Sequence, residues 1–557
     1  MTALTFGATV LDANRTRFRL WAPALREVGL EIEGRPALAM MARGDGWFEI
    51  EAACGPGARY CYRLPNGLAV PDPASRAQAD DVHGPSLVVD PDRYLWRNTG
   101  WRRRPWRDCV LYELHAGLFG GFDGVKAALP RLAELGVTAV ELMPVSDFSG
   151  TRNWGYDGVL PYAPDRAYGS PDQLKALVDA AHGLQMMMVL DVVYNHFFRD
   201  DLHTPWGVAI DFRQPQVRRY FTENALYWLQ EYRFDGLRLD AVHAISDPGW
   251  LDEMAAEVRS AVEPGRHVHL VLEHDGNEAS HLRRDFTAQW NDDAHHALHV
   301  LLTGERDGYY RDYIDATRHL ARCLEEGFAY QGDPSVHRDG QPRGTPSADL
   351  PPTKFVMFLQ NHDQVGNRPF GDRLPSLVDR EALKAAVALQ LLAPSIPLIF
   401  MGEETFDEQP FLFFTDFHGE LATAVREGRR REFSHFTGFA SEKIKDPNAR
   451  ESFDCSRVTS AGDAGFYRTL LALRQSAVVP RLDGARAIAS RIIAPGAVAA
   501  RWQLGDGSTL TIAANLATEA CAFSGPEAAP IYESRTGALS HGTLQDRSTV
   551  AFLTAPP

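Results

Sequence analysis

Apolar and polar side chains alternate in short runs along the first hundred residues. Phe18-Arg-Leu-Trp, Val28-Gly-Leu-Glu-Ile and Trp47-Phe-Glu-Ile-Glu carry the two-residue period of strands with one buried face. Gly44-Asp45-Gly46, Gly55-Pro56-Gly57 and Pro65-Asn66-Gly67 punctuate them. Short strands at that spacing predict a β-sandwich module, immunoglobulin-like, over residues 1–95. The stretch rich in Arg, Trp and Pro from Trp101 to Pro105 reads as a linker.

From Cys109 the period changes. The apolar run Val110-Leu-Tyr-Glu-Leu precedes helical spacing at Val125, Leu129, Leu132 and Leu135, and Gly136 stands where a helix C-cap takes positive φ. The run Val137-Thr-Ala-Val-Glu-Leu-Met-Pro follows. Ser170-Pro171-Asp172-Gln173 is a capping box with proline at its first position, opening a stripe of Leu174, Leu177, Val178 and Ala181. Met186 to Val193 is nearly all apolar, as a strand buried on both faces should be. Further strands are predicted at Gly236-Leu-Arg-Leu-Asp, Val268-His-Leu-Val-Leu-Glu, Phe286 to Trp290, Val356-Met-Phe-Leu-Gln and Ile396-Pro-Leu-Ile-Phe. Open doubly wound sheets and closed barrels both fit the alternation. About eight units over roughly 300 residues favour the (β/α)₈ TIM barrel, placed over 96–476. After a helix at Phe466 to Arg474, Val498 to Gln503 and Thr509 to Ala513 return to short strands, so a small C-terminal β domain is predicted over 477–557.

Composition narrows the partners. The net charge of −16 argues against nucleic acid and against an anionic membrane surface. Six scattered cysteines make no disulfide framework. The N-terminus lacks a basic region followed by an apolar run, and Ala388 to Gly402, the most apolar stretch, is too short for a bilayer and broken by Pro394 and Pro397. A cytoplasmic protein is predicted.

The chemistry lies at the strand ends. Val189-Leu-Asp-Val-Val-Tyr runs into Asn195-His196, Leu237-Arg-Leu reaches Asp240, Leu270-Val-Leu reaches Glu273, Phe358-Leu-Gln ends at Asn361-His362-Asp363, and Ile399-Phe-Met-Gly at Glu403-Glu404. One acid at a strand end is commonly a helix cap or ion-pair partner. Several acids flanked by His196, Arg238 and His362 point to chemistry, because barrel strand ends converge on one face, where crowding drives carboxyl pKa values apart. Arg238, two residues before Asp240, shares its face.

These residues resemble the four ordered signature regions of the α-amylase superfamily, glycoside hydrolase family 13: Asp191-Val-Val-Tyr-Asn-His196, Gly236-Leu-Arg-Leu-Asp240-Ala-Val-His243, Leu272-Glu273 and Asn361-His362-Asp363. Four further stretches are similar to the trehalose-releasing branch of that family. They are Asn153-Trp-Gly-Tyr-Asp-Gly-Val-Leu-Pro-Tyr-Ala-Pro, Trp290-Asn-Asp-Asp-Ala-His-His-Ala-Leu-His, Leu302-Thr-Gly-Glu-Arg-Asp-Gly-Tyr-Tyr and Leu359-Gln-Asn-His-Asp-Gln-Val-Gly-Asn-Arg. The resemblance implies a retaining hydrolase, with Asp240 as nucleophile, Glu273 as general acid/base and Asp363 as the third acid. Such an enzyme needs its two working carboxyls about 5 Å apart. It implies sugar contacts from Tyr156, stacked beneath the ring, and from His196, Arg238, His243, His362, Gln364 and Asn367. Asp292, Asp293, His295 and His296 are implied to touch the trehalose unit beyond the cleaved bond. The implied substrate is a neutral maltooligosyl trehalose, supplied by a maltooligosyl trehalose synthase.

No cofactor or metal is predicted. His295 and His299 have the spacing of paired helix ligands but no glutamate between them as in His-Glu-x-x-His. Asp191 and Asn195 resemble residues near a structural calcium in some amylases, yet Tyr194 to Val217 is short for a calcium-binding subdomain. Two departures, Glu273-His274-Asp275-Gly276-Asn277 and Glu403-Glu404-Thr405-Phe-Asp, touch the rim. The residues alone leave hydrolysis and transfer open, so a 1,4-α-glucan branching enzyme and a non-catalytic glycan-binding barrel stand as alternatives. The N-terminal module, with Trp21 and Trp47 in its alternating strands, is expected to brace the barrel.

Overall fold

Eight parallel strands close into a barrel: β1 (Leu111–Leu114), β2 (Ala139–Leu142), β3 (Met187–Val192), β4 (Gly236–Leu239), β5 (His269–Leu272), β6 (Ala288–Trp290), β7 (Phe355–Met357) and β8 (Ile396–Phe400), with β8 pairing back to β1. The structure is a computed structural model describing residues 4–102, 104–197, 208–433, 444–459 and 462–556. Part of the segment Tyr194 to Val217, residues 198–207, and Arg103 of the expected linker lie outside the described residues.

Alternation within each strand decides the interior. Leu111, Ala139, Val189, Val271, Trp290 and Val356 fill the lumen as one buried cluster, while Tyr112, Val140, Leu190, Leu237 and Leu239 pack outward with the helices. One step further along the inward-facing rows the lumen becomes polar, with Glu113, Glu141, Asp191 and Arg238 all buried. The local signals hold. Gly136 caps its helix at φ 105°, and Ser170 and Gln173 exchange both capping-box bonds, at 3.2 and 2.8 Å.

Two antiparallel sheets form the N-terminal module, one built on Arg15–Trp21 and Trp47–Ala52, the other on Gly29–Ile32 and Arg59–Arg63. Phe18, Leu30, Phe48, Tyr60 and Tyr62 make their shared core. Trp21 and Trp47 pair across the first sheet but point away from that core, onto the barrel's cluster. Phe6 wedges between Trp47 and Tyr220 of helix Pro215–Gln230, with ring centroids 5.0 and 5.2 Å away.

The Arg/Trp-rich stretch is not a loose linker. Asp179, buried on helix Pro171–Gly183, accepts from Arg97 N (2.9 Å), Asn98 N (2.9 Å), Asn98 Nδ2 (3.0 Å) and the Tyr94 hydroxyl (2.9 Å). Trp101 Nε1 donates to Asp235 at 2.8 Å and Trp106 Nε1 to the Thr353 carbonyl at 2.8 Å. The segment is a strap pinned beneath the barrel.

At the other end, strands Arg486–Ala494, Ala497–Gln503, Thr509–Asn515, Ser548–Thr554 and the short Tyr532–Glu533 form the larger of two sheets. That sheet docks on the barrel's helices, with Trp502 Nε1 donating to the Leu324 carbonyl (3.1 Å) and Thr549 to the Ala385 carbonyl (2.8 Å). All six cysteines are free thiols. Among the described residues no helix is long and apolar enough to cross a membrane.

Candidate active site

The acids sit where strands β3, β4, β5 and β7 end. Backbone bonds continue the ladder one step past the strands: Asp240 N donates to the Val192 carbonyl (3.1 Å) and Glu273 N to the Leu239 carbonyl (3.0 Å). The two carboxyls therefore emerge side by side. Ala241 turns the chain at φ 39°, a left-handed value strained for alanine, and its N–H donates to Glu273 Oε2 at 2.9 Å.

Arg238 organises the cluster. Its fully buried guanidinium lies 4.1 Å over the Trp290 ring. Nη1 donates to Asp191 (2.7 Å) and Asp240 Oδ1 (2.8 Å), and Nη2 to Glu273 Oε2 (2.6 Å). Two carboxylates held on adjacent nitrogens of one planar fork have a fixed separation and orientation. Asn195 Nδ2 completes the grip on Asp240, reaching Oδ2 at 2.7 Å and its carbonyl at 2.8 Å. The side chain considered for calcium orients the central aspartate instead. His196 Nδ1 contacts the Asn195 amide oxygen.

Burial raises the pKa of Glu273; the Arg238 charge opposes it and the Asp240 charge adds to it. Burial likewise raises Asp363 against the opposing His362 charge. Asp191 is pushed up to about 7 by burial, which outweighs Arg238. Burial lowers His362, but the Asp363 and Glu113 carboxylates beside it prevail and carry it to about 9. Its Nδ1 lies 2.5 Å from Glu113 Oε1. The Tyr156 ring stacks on His362 at 4.9 Å and its hydroxyl donates to Asp191 at 2.5 Å.

Asn361 caps the short helix His362–Gly366, which presents Asp363 at its first turn; Asn367 Nδ2 donates to Asp363 at 3.2 Å. Gln364 accepts from the Tyr309 hydroxyl at 2.9 Å. His243, on the exposed turn after Asp240, accepts from Asp275 N at 3.3 Å.

Asp292, Asp293, His295 and His296 occupy the first turns of helix Asp292–Thr303, and its two faces separate them. Asp293 is corrected: it is wholly buried and accepts from Arg343 (2.7 Å), Tyr313 (2.5 Å), Asn277 (2.9 Å), Ala329 N (2.8 Å) and Tyr330 N (3.0 Å). Those donors occupy it, so it ties loops together rather than touching sugar. His295 is corrected on the same ground, buried with Nδ1 on the Leu359 carbonyl (2.8 Å) and Nε2 on the Tyr310 hydroxyl (3.3 Å). His296 sits among Tyr309, Tyr310 and Tyr313, and neither ring nitrogen has a partner among the described residues. Burial holds it neutral. Asp292 is raised by burial and then by the Glu273 charge, which places it in the field of the acids. Among the described residues no three His, Cys, Asp or Glu side chains group to hold a metal ion.

Comparison with known proteins adds the family. Residues 80–204 match the model "Alpha amylase, catalytic domain", and residues 485–551 a domain of unknown function. Malto-oligosyltrehalose trehalohydrolase of Deinococcus radiodurans is 40% identical over 84% of this chain and 82% of its own length. That of Saccharolobus solfataricus is 40% identical over 85% and 87%. The chain belongs to the malto-oligosyltrehalose trehalohydrolase family.

A Salmonella typhimurium crystal structure named for the alpha amylases superposes on this trehalohydrolase-family fold with a TM-score of 0.94, at 44% identity over 99% of this chain and 100% of that one. A pullulanase from Paenibacillus barengoltzii shares the fold alone, at 20% identity and a TM-score of 0.72 over 100% of this chain and 95% of that one. A 1,4-alpha-glucan branching enzyme from Jannaschia is 32% identical over only 42% of this chain and 40% of its own length.

Two residues of this trehalohydrolase-family site escaped the sequence reading. Glu113 holds His362, and Arg343 holds Asp293. Glu113 carried a signal: an acid at an inward position of an apolar strand must meet a partner. Arg343, on the two-residue strand Pro342–Arg343, carried none.

Proposed function

We propose that this chain is a retaining glycoside hydrolase that cuts the α-1,4 bond joining a maltooligosyl chain to its terminal trehalose, releasing trehalose. The observation that carries the chemistry is the pairing of Asp240 and Glu273 on one buried Arg238 guanidinium at adjacent strand ends. The relatives' printed names support the choice of substrate.

Glu273 is the general acid. Arg238 and the Ala241 amide both donate to Oε2, which leaves Oε1 to carry the proton that burial retains. Oε1 protonates the bridging oxygen as the bond from that oxygen to the anomeric carbon breaks. Asp240, its two oxygens oriented by Arg238 and Asn195, attacks the same carbon and forms a glycosyl ester. Glu273, now ionised, takes a proton from water, whose oxygen displaces Asp240. Asp363 and the protonated His362 hold hydroxyls of the sugar in the cleaved subsite, with Tyr156 and His196 beside them. Asp292, His296 and Gln364 face the trehalose unit, and His243 and Asn367 the rim.

Three further assignments belong to the same proposal. The modules divide at 1–95, 96–476 and 477–557; the protein resides in the cytoplasm, consistent with six free thiols; and a synthase that makes maltooligosyl trehalose supplies the substrate. Incubation with maltotriosyl trehalose tests the reading: free trehalose is expected, and Glu273→Gln should abolish its release. Branched glucan formed from amylose with no trehalose released would overturn it in favour of a branching enzyme.

A further inference from the structure

The base of the barrel holds a cavity of about 760 Å³, bounded by the strap 91–101 on one side and by the ends of three helix-to-strand connections on the other. His182 ends helix Pro171–Gly183, Gln230 to Arg233 precede β4, and Ala261 to Arg266 precede β5. All lie at the amino-terminal ends of the strands, across the barrel from Asp240 and Glu273.

Its walls have a specific chemistry. Tyr94, Trp96 and Trp101 are half-buried and line it together. Trp96 is held edge-on by Tyr94 at 5.1 Å and capped on one face by the Arg233 guanidinium at 4.3 Å. Trp101 is braced by His182, stacked at 5.1 Å, and by Asp235. The four bonds to Asp179 fix the strap, so the aromatic wall is preorganised and no loop has to be ordered for it to bind. The charges balance. Asp92, Glu231 and Glu263 line it together with Arg233 and Arg266; Lys175 pairs with Glu231 at 3.1 Å, and the Arg266 guanidinium donates to the Leu229 carbonyl.

Aromatic faces beside planar carboxylate, amide and guanidinium groups accept a ligand with both C–H faces and many hydroxyls. Charge balance disfavours a phosphate, and the dense polar lining disfavours a lipid. We propose that this cavity is a second saccharide site, binding a short stretch of neutral gluco-oligosaccharide on the side of the barrel opposite the catalytic acids. The choice of glucose oligomers rests on the substrate class proposed above. Occupancy there tethers a glucan chain, or retains the disaccharide product, without touching the reacting atoms.

Titration calorimetry of full-length Glu273→Gln protein with maltoheptaose, and separately with trehalose, tests this. Two sites are expected for at least one sugar, falling to one when Trp96→Ala is added. Arg233→Ala, which removes the guanidinium that holds the Trp96 ring in place, should weaken the same site roughly tenfold, a loss of about 1.4 kcal/mol. In an otherwise unaltered chain, Trp96→Ala should release trehalose from maltotriosyl trehalose at the wild-type rate. The maltoheptaose and trehalose arms tell the glucan from the product. A single site for both sugars, or a second site unchanged by both substitutions in folded protein, would overturn the proposal while trehalose release by the parent chain left the catalytic reading intact.

Discussion

Replacing Arg238 with methionine keeps the length and apolar stem of the side chain and removes the one arginine that, among the described residues, touches Asp191, Asp240 and Glu273, at 2.6 to 2.8 Å. Breaking a buried ion cluster by deleting one partner costs about 3–5 kcal/mol, so a lower melting temperature is expected. The Asp240 carboxylate loses its fork and keeps only Asn195, and misplacement by about 1 Å costs on the order of 10²-fold in rate. The Arg238 charge now opposes the raised pKa of Glu273. Without it that pKa rises further, because burial and the Asp240 charge then act unopposed by Arg238. In the proposed mechanism Glu273 acts protonated, so the alkaline limb of kcat/KM is expected to move to higher pH. Trehalose release measured from pH 4 to 10 reads both effects. Arg238→Lys, which keeps a charge but not the fork, should show a smaller shift with most of the rate loss. An alkaline limb that stayed in place or moved down in folded Arg238→Met protein would refute the hub.

Three further outcomes follow from the same contacts. His362 titrates at about 9 in the fold against an ordinary 6.5. The fold therefore gains the full stabilisation of that proton below pH 6.5 and loses it as pH rises to about 9, on the order of 3 kcal/mol. Denaturation at stepped pH should show this decline, and Glu113→Gln should flatten it. Asp293→Asn should cost about 3–5 kcal/mol by stranding Arg343. An unchanged melting temperature with a tenfold higher KM would return Asp293 to the sugar. Phe6→Ala empties the wedge between Trp47 and Tyr220 and should cost about 3 kcal/mol, read as a lower melting temperature with kcat unchanged.

The barrel was legible in the chain because its cause is local. Period-two and apolar runs, a capping box at Ser170 and a glycine at 136 act within a few residues, and each element formed where those signals stood. The strand-end acids were legible for the same reason: a strand's direction is set locally, and closure brings its end to the mouth. Trp21 and Trp47 show the limit of that reasoning, since alternation placed both on one face but did not say whether that face looked inward or onto the barrel.

Partner choice was decided only by the tertiary structure. Asp292 and Asp293 are neighbours of one residue type, yet a turn of roughly 100° between successive helix positions sends one toward the acids and the other to Arg343, 50 residues on. His362 meets Glu113 across 249 residues. No periodicity encodes such pairs, because they exist only once eight strands have closed and brought distant side chains within hydrogen-bond reach. The sequence by itself determined which acids stand at the barrel mouth; closure determined which protein groups hold each of them.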